Sequence, residues 1–243
     1  MFEPPQKKNP HQITMNQHCH TARCIRQFEN NGIVQVKRLA TDDVIKCKKD
    51  NPIFCAQRVW DERAEKGYMA KIENDFHREV DNADLGINRN HTVISMYHLL
   101  WCIRHHFYMN PLSDATLVGE FGSGITKDQS EVVESKWGAF VRENGELPSR
   151  FLTSLKIQQL IDMNIETYSA INWGLLKATE GEFLVSDCYS GVCFMPITPK
   201  LAFYANEKDQ EITRDDLAAL NNLSKGQAFN FHFGKDLATC YLS

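Results

Sequence analysis

The sequence predicts an α+β fold with a mainly helical middle, a small β component at each end and a single core. Three observations carry this. A turn signal, Asn30-Asn31-Gly32, precedes the strand-like run 33–36 (IVQV). Apolar positions then recur at helical spacing, with interruptions, from residue 59 to 163. After Gly181 short β-rich runs separated by turns take over, and this order of strand, helices and strands is that of an α+β protein.

Taken in order, residues 1–12 hold Pro4, Pro5, Lys7, Lys8 and Pro10 and lack the apolar segment of a secretory signal, so a cytoplasmic protein is expected. Residues 1–16 are read as a flexible leader and 17–243 as one domain. Tyr68, Met69, Ile72, Phe76, Val80 and Ala83 give the stretch 59–83 one apolar helical face, opposite Glu73, Asp75, Arg78 and Glu79. Residues 91–109 (HTVISMYHLLWCIRHHFYM) are apolar almost all round, which in a soluble chain places a helix at the centre of the fold, closed by Pro111. Trp101 should be deep in that core. The run 121–127 (FGSGITK) is a flexible connection, since it lacks the Gly-Lys-Ser/Thr of a phosphate loop and a preceding strand. Residues 130–142 and 150–163 predict peripheral helices. Strands are expected at 182–186 and 191–195 around a turn at 187–190, PITP (196–199) leads into 201–204, and 215–223 is a short helix. Residues 228–233 and 239–242 read equally as strand or helix.

The chain has 243 residues, enough to bury a core without disulfide or metal staples. Its composition, 42% hydrophobic and 24% charged, excludes a disordered or fibrous protein. The longest apolar approach to a membrane span, 92–103, contains His98 and stops at Arg104, so no membrane partner is expected. The eight cysteines lie mostly in apolar runs and are read as reduced thiols. A formal charge of −4 gives no bulk attraction to nucleic acid. The charge is uneven, however: residues 1–66 carry 12 Lys and Arg against 8 Asp and Glu, so a phosphate-bearing partner would meet that part, unless Lys46, Lys48 and Lys49 merely solvate a loop.

Within the apolar helix, Ser95, His98, Cys102 and His105 or His106 recur at three and four, a polar stripe that needs partners. Neighbours four apart can chelate zinc, but His98, Cys102 and His106 together span about 12 Å of helix, too far for three bonds of about 2 Å. No structural zinc is expected. No Walker loop, dinucleotide fingerprint, zinc-protease helix or nucleophile elbow occurs.

Three stretches together resemble the domain of unknown function 4238 family. QHCHTARCIRQF (17–28) is similar to its opening His-His-aromatic-x-Pro stretch running into Leu-Arg-x-Phe, with His18 on the second His, Ile25 on the Leu, and Arg26 and Phe28 matching outright. Gln17 and Thr21 depart from it, standing where the family has His and Pro. KIENDF (71–76) resembles its Ile-Glu helix. EFLVSDCYSGVCFMPITPKLAF (182–203) resembles its Phe-x-x-Ser-Asp turn and Pro-x-x-Pro segment, and LNNLSKGQAF (220–229) its closing Asn-then-Ala helix. The resemblance implies a bacterial or phage-associated intracellular protein with a role in defence or toxicity, and it brings forward His18, Arg26, Glu73, Ser186 and Asp187 rather than a reaction.

Physical chemistry gives those residues a use. A histidine beside a carboxylate can exchange a proton at neutral pH, and arginine grips a phosphate bidentately. His18, Arg26 and Asp187 would then form a phosphodiester-cleaving set, with Ser186, His98 and His105 lining the substrate site. Glu73 would supply a second carboxylate for Mg or Mn. The expectation is a nuclease acting on RNA rather than DNA. Its rival is a non-enzymatic module that binds nucleic acid, a protein partner or an antitoxin, with Asp187 capping a turn, Arg26 paired to Glu73 and His18 bonded to a carbonyl. If the site exists, the segment around His18 and the turn at Ser186-Asp187 must lie side by side, with Arg26 near a carboxylate and His98 or His105 in the wall.

Overall fold

The apolar run at 91–109 forms one helix of 19 residues and is the spine of the molecule. Asn90 caps it by accepting the Val93 N–H, and it stops at Asn110, before Pro111. Trp101, Tyr97, Leu100 and Ile94 on it are wholly buried.

The computed structural model describes residues 3–122 and 124–242. The N-terminal part holds β1 (Asn16–His18), α1 (Ala22–Gln27), β2 (Val34–Arg38), β3 (Val44–Cys47) and β4 (Cys55–Gln57). Then follow α2 (Glu62–Ala64), a wide π-helical turn at Glu65–Met69 broken at Gly67, α3 (Ala70–Asn82) and the spine, α4 (His91–Met109). Next are β5 (Ala115–Thr116), α5 (Lys127–Ser135), β6 (Glu146–Leu147) and α6 (Ser149–Ser169). The C-terminal part has β7 (Trp173–Ala178), β8 (Val185–Ser186), β9 (Phe194–Pro196), β10 (Leu201–Ala205) and β11 (Gln210–Ile212). It ends with α7 (Arg214–Gln227) and β12 (Phe231–Gly234).

This is an α+β architecture around one continuous core. Helices α3 and α6 pack against α4. One four-stranded sheet, in the order β3-β2-β12-β8, interleaves strands from both ends of the chain. The second, β11-β7-β10-β9, belongs wholly to the C-terminal part, with β11 parallel to β7. Two short ribbons, β1-β4 and β5-β6, complete it. Among the described residues no helix is long and apolar enough to cross a membrane.

Several local expectations are corrected. The stretch 59–83 is not one regular helix, because Gly67 leaves the helical region of backbone space. The helix expected over 130–142 ends at Ser135, where Trp137 takes a positive φ and the Gly138 N–H turns back to the Val133 carbonyl. The strand expected at 182–186 pairs only over Val185–Ser186, and 239–242 forms neither strand nor helix. Strand β7 has no counterpart in the sequence reading. Of the FGSGITK run, Ser123 lies outside the described residues, as do Met1 and Phe2 of the leader.

The described part of the leader, read as flexible, is tied down at several points. Glu3 accepts from Arg150 at 2.7 Å and Arg142 at 3.0 Å, and its backbone carbonyl accepts from Arg58. Behind it, Arg58 and Arg150 both hold Glu134 in a buried ionic cluster that leaves Arg58 Nε without a hydrogen-bond partner among the described residues. The Gln6 N–H donates to Glu131 on α5.

Candidate active site

The polar stripe of α4 finds its partners in the C-terminal part of the chain. Ser95 donates to the Tyr168 carbonyl at 2.8 Å and accepts the Trp173 indole N–H at 2.9 Å. His98 Nε2 bonds the Val192 carbonyl at 3.1 Å. His105 Nε2 lies 3.5 Å from the Asp187 carboxylate, both being nearly inaccessible to solvent. These contacts dock the turn after β8 along one side of the helix.

At the end of the stripe the chain encloses a narrow cavity, wide enough for about one water. Its polar lining is Cys19 and His20 from the N-terminal segment, His105 and Tyr108 from α4, and Ser186 and Asp187 from the turn. Phe54, Phe231 and Phe233 form its apolar side. Thr21 places His20 there: its hydroxyl caps α1 by accepting the Cys24 N–H, and the His20 ring stacks on Trp101 with centroids 3.9 Å apart. His20 Nδ1 pairs with Tyr97 Oη at 2.8 Å. The Nε2 atoms of His20 and of His105 are both buried without a hydrogen-bond partner among the described residues. His105 Nε2 still faces the Asp187 carboxylate at 3.5 Å, whereas among the described residues His20 Nε2 has no polar partner, and this pair of imidazoles on one cavity is the principal chemical feature of the fold.

Their environments set opposite charge states. Burial pushes His20 down to about 3, so its imidazole is neutral. For His105 burial works the same way but is outweighed by Asp187 and Cys188, which push it up to about 9 and keep it cationic. Asp187 is itself held by the backbone N–H groups of Phe229 and Asn230, each at 2.8 Å. It therefore presents a fixed negative charge to the His105 ring.

The residues singled out from the sequence divide. Ser186, Asp187 and His105 come together at the cavity, and the N-terminal segment does lie beside them, but through His20 rather than His18. His18 stands on β1 and its Nε2 bonds the Lys49 carbonyl at 3.0 Å. Arg26 is exposed on α1 and takes no ion pair among the described residues; Glu73 is claimed by Arg104 of α4. This corrects the expected Arg26–Glu73 link and removes Arg26 and Glu73 from the cavity. Arg104 is 1% exposed, also lies over the Trp60 ring, and holds the N-terminal segment by donating to the His18 carbonyl. His98 lies on the same side of α4 but is absorbed by Val192, and burial pushes it down to about 4.

Glu73 and Asp187 do not converge, so the two-carboxylate arrangement that would suit Mg or Mn is not formed. Among the described residues no group of three or more His, Cys, Asp or Glu side chains is placed to hold a metal ion. His106 is exposed, whereas His98 is buried. The sequence reading missed His20 and Arg104. A helix-capping Thr directly after His20, and a single Arg inside an apolar helix, were the signals available. No family model, no curated protein and no solved structure matches the chain.

Proposed function

We propose that the protein is a ribonuclease that works without a metal ion, with His20, His105 and Asp187 as its acid–base set. The observation that carries this reading is the pair of buried imidazoles on one cavity, His20 with an Nε2 that has no hydrogen-bond partner among the described residues and His105 ion-paired to Asp187. In the tautomer whose Nδ1–H donates to Tyr97, His20 offers its Nε2 lone pair as a base for a ribose 2′-hydroxyl. His105, held cationic by Asp187, offers a proton to the leaving 5′-oxygen. Attack by a 2′-hydroxyl is open to RNA and closed to DNA, which supports the preference for RNA. Lys46 and Lys48 are exposed on β3 and the turn leading to the Ile53–Phe54 wall, where they can meet phosphates. A toxin or defence setting is what the family resemblance adds to this reading.

A second reading, a binding module without catalysis, is favoured by the cavity's size: it admits a water, and a nucleotide must widen it. Labelled RNA and single- and double-stranded DNA, incubated with the protein in magnesium, manganese or EDTA, separate the two. The ribonuclease should cut RNA in EDTA, leave DNA intact and produce 2′,3′-cyclic phosphate ends. Binding without cleavage under every condition selects the module, and cleavage only with metal moves the reaction away from this cavity.

A further inference from the structure

We infer that Phe229 and Tyr108, two aromatic rings that flank His105, form a stacking platform for unpaired bases of an RNA strand. For its substrate the platform rests on the ribonuclease reading. Phe229 lies in the short link between α7 and β12, its ring centroid 5.0 Å from that of His105 at an angle of 48°. Tyr108 follows His105 by three residues on α4, and its ring meets the imidazole edge-on at 6.2 Å and 64°. Both separations are those of aromatic contact. Asp187 fixes the arrangement: it accepts the Phe229 and Asn230 N–H groups at 2.8 Å each while facing His105 at 3.5 Å. One carboxylate therefore holds both the imidazole and the backbone that carries the aromatic ring beside it.

His105 is buried, but Phe229 is 54% exposed. Leu39 and Met109, also exposed, gather beside it around Asn230, whose carbonyl accepts the Leu39 N–H at 2.8 Å and whose amide donates to Met109 Sδ at 3.2 Å. A joined apolar surface next to polar groups is characteristic of a binding site. Tyr108 is half-buried and lines both the narrow cavity and a groove of about 220 Å³ bordered by Gln57, Leu112 and Thr153. The cavity has room for a water and none for a base, so a strand that presents a phosphate to His105 must seat its bases outside. The side chains that meet it there are Phe229 and Tyr108, and the His105 imidazolium between them attracts the phosphate that joins two bases. A ring face accepts any base, whatever the sequence, but only a base free of pairing can reach it. The platform thus selects single strands, loops and ends over duplex RNA.

The test uses a fluorescein-labelled 2′-O-methyl RNA oligonucleotide, which lacks the attacking hydroxyl and cannot be cut, with binding to the full chain read by fluorescence anisotropy. The single strand should bind more tightly than the same strand annealed to its complement. Phe229→Leu, which keeps an apolar side chain at an exposed position, should weaken single-strand binding about 5- to 150-fold, the worth of one base–aromatic stack, and leave duplex binding unchanged. Phe229→Trp should restore it. Tyr108→Leu should act as Phe229→Leu does, and the two Phe229 variants decide the matter if Tyr108→Leu does not fold. Equal affinity of the wild type for single strand and duplex, or wild-type affinity in Phe229→Leu, overturns the inference. Absence of binding by either form also overturns it and leaves the exposed patch to a protein partner. Cleavage of unmodified RNA is assayed apart. Single-strand binding that depends on Phe229, without cleavage, keeps the platform and removes the ribonuclease, whereas cleavage with binding indifferent to Phe229 does the reverse.

Discussion

The indole N–H of Trp101 donates to the backbone carbonyl of Asp187 at 3.0 Å. One core side chain thereby positions the turn that carries Asp187 and Cys188, while its ring face supports His20. The centre of the fold and the candidate site share this residue, so packing and chemistry are coupled through it.

Replacing Trp101 by Ala should cost about 3 to 5 kcal/mol, from the cavity left by a wholly buried ring. Urea unfolding measures the loss. Trp101→Phe, which keeps most of the volume but not the N–H, should be milder in stability and still loosen the Asp187 turn, seen as faster amide exchange at Asp187 and Cys188.

Arg104→Ala should be as damaging, about 3 to 5 kcal/mol, because Glu73 and Glu65 lose their cation and the His18 carbonyl its donor. Arg26→Ala, on the exposed side of α1, should change the melting temperature little. Equal effects from the two would return Arg26 to a structural role.

In the buried cluster under the leader, Glu134→Ala strands Arg58, leaves Arg150 with only the partly open Glu3, and should cost about 3 to 5 kcal/mol. Glu3→Ala should cost only about 1 kcal/mol, since Glu3 is partly open to solvent and Glu134 still serves Arg150. Thermal melts of the two variants give the contrast.

Stability against pH should expose the thiolate–imidazolium pair. His105 is raised from its ordinary 6.5 to about 9, so its contribution is full below 6.5 and lost as pH rises through about 9. Cys188 is held below its ordinary 9.0, so its contribution is lost at acid pH and accrues as pH rises toward 9.0. The two slopes oppose each other over 6.5 to 9 and should leave the wild type nearly flat there. In Cys188→Ser the histidine keeps only Asp187 to raise it, so the melting temperature should fall over a narrower interval that begins at 6.5. A wild-type curve that falls as steeply as the variant's contradicts the pairing.

On activity, His105→Ala and His20→Ala should each lower RNA cleavage by about 10²- to 10⁴-fold. His18→Ala, whose ring is tied to the Lys49 carbonyl, should leave it within a few-fold. The reverse order would move the chemistry to β1.

Much of the scaffold was legible because its signals are local. The all-round apolarity of 91–109 marked the central helix and its Pro-limited end, and the need of its polar stripe for partners followed from spacing alone. The neighbourhood of the Ser186-Asp187 turn with the N-terminal segment was expected from the family resemblance and is present at the cavity, through His20 rather than His18. Strand β7 was not legible, since WGLLKA is buried along almost its whole length and shows no alternation to separate it from a helix.

By itself, then, the sequence determined the α+β class, the single core, the spine helix and the presence of a polar stripe on it, all consequences of side-chain periodicity along one segment. Contacts between elements settled which histidine meets Asp187, that Glu73 serves Arg104 rather than Arg26, and that Trp101 holds the Asp187 carbonyl. Those pairings join residues from separate elements, and the choice between His18 and His20 turns on a shift of two residues that the capping of α1 by Thr21 settles. Periodicity reports which side of an element is buried; which group it is buried against is set by burial and charge acting between elements, and no single segment carries that information.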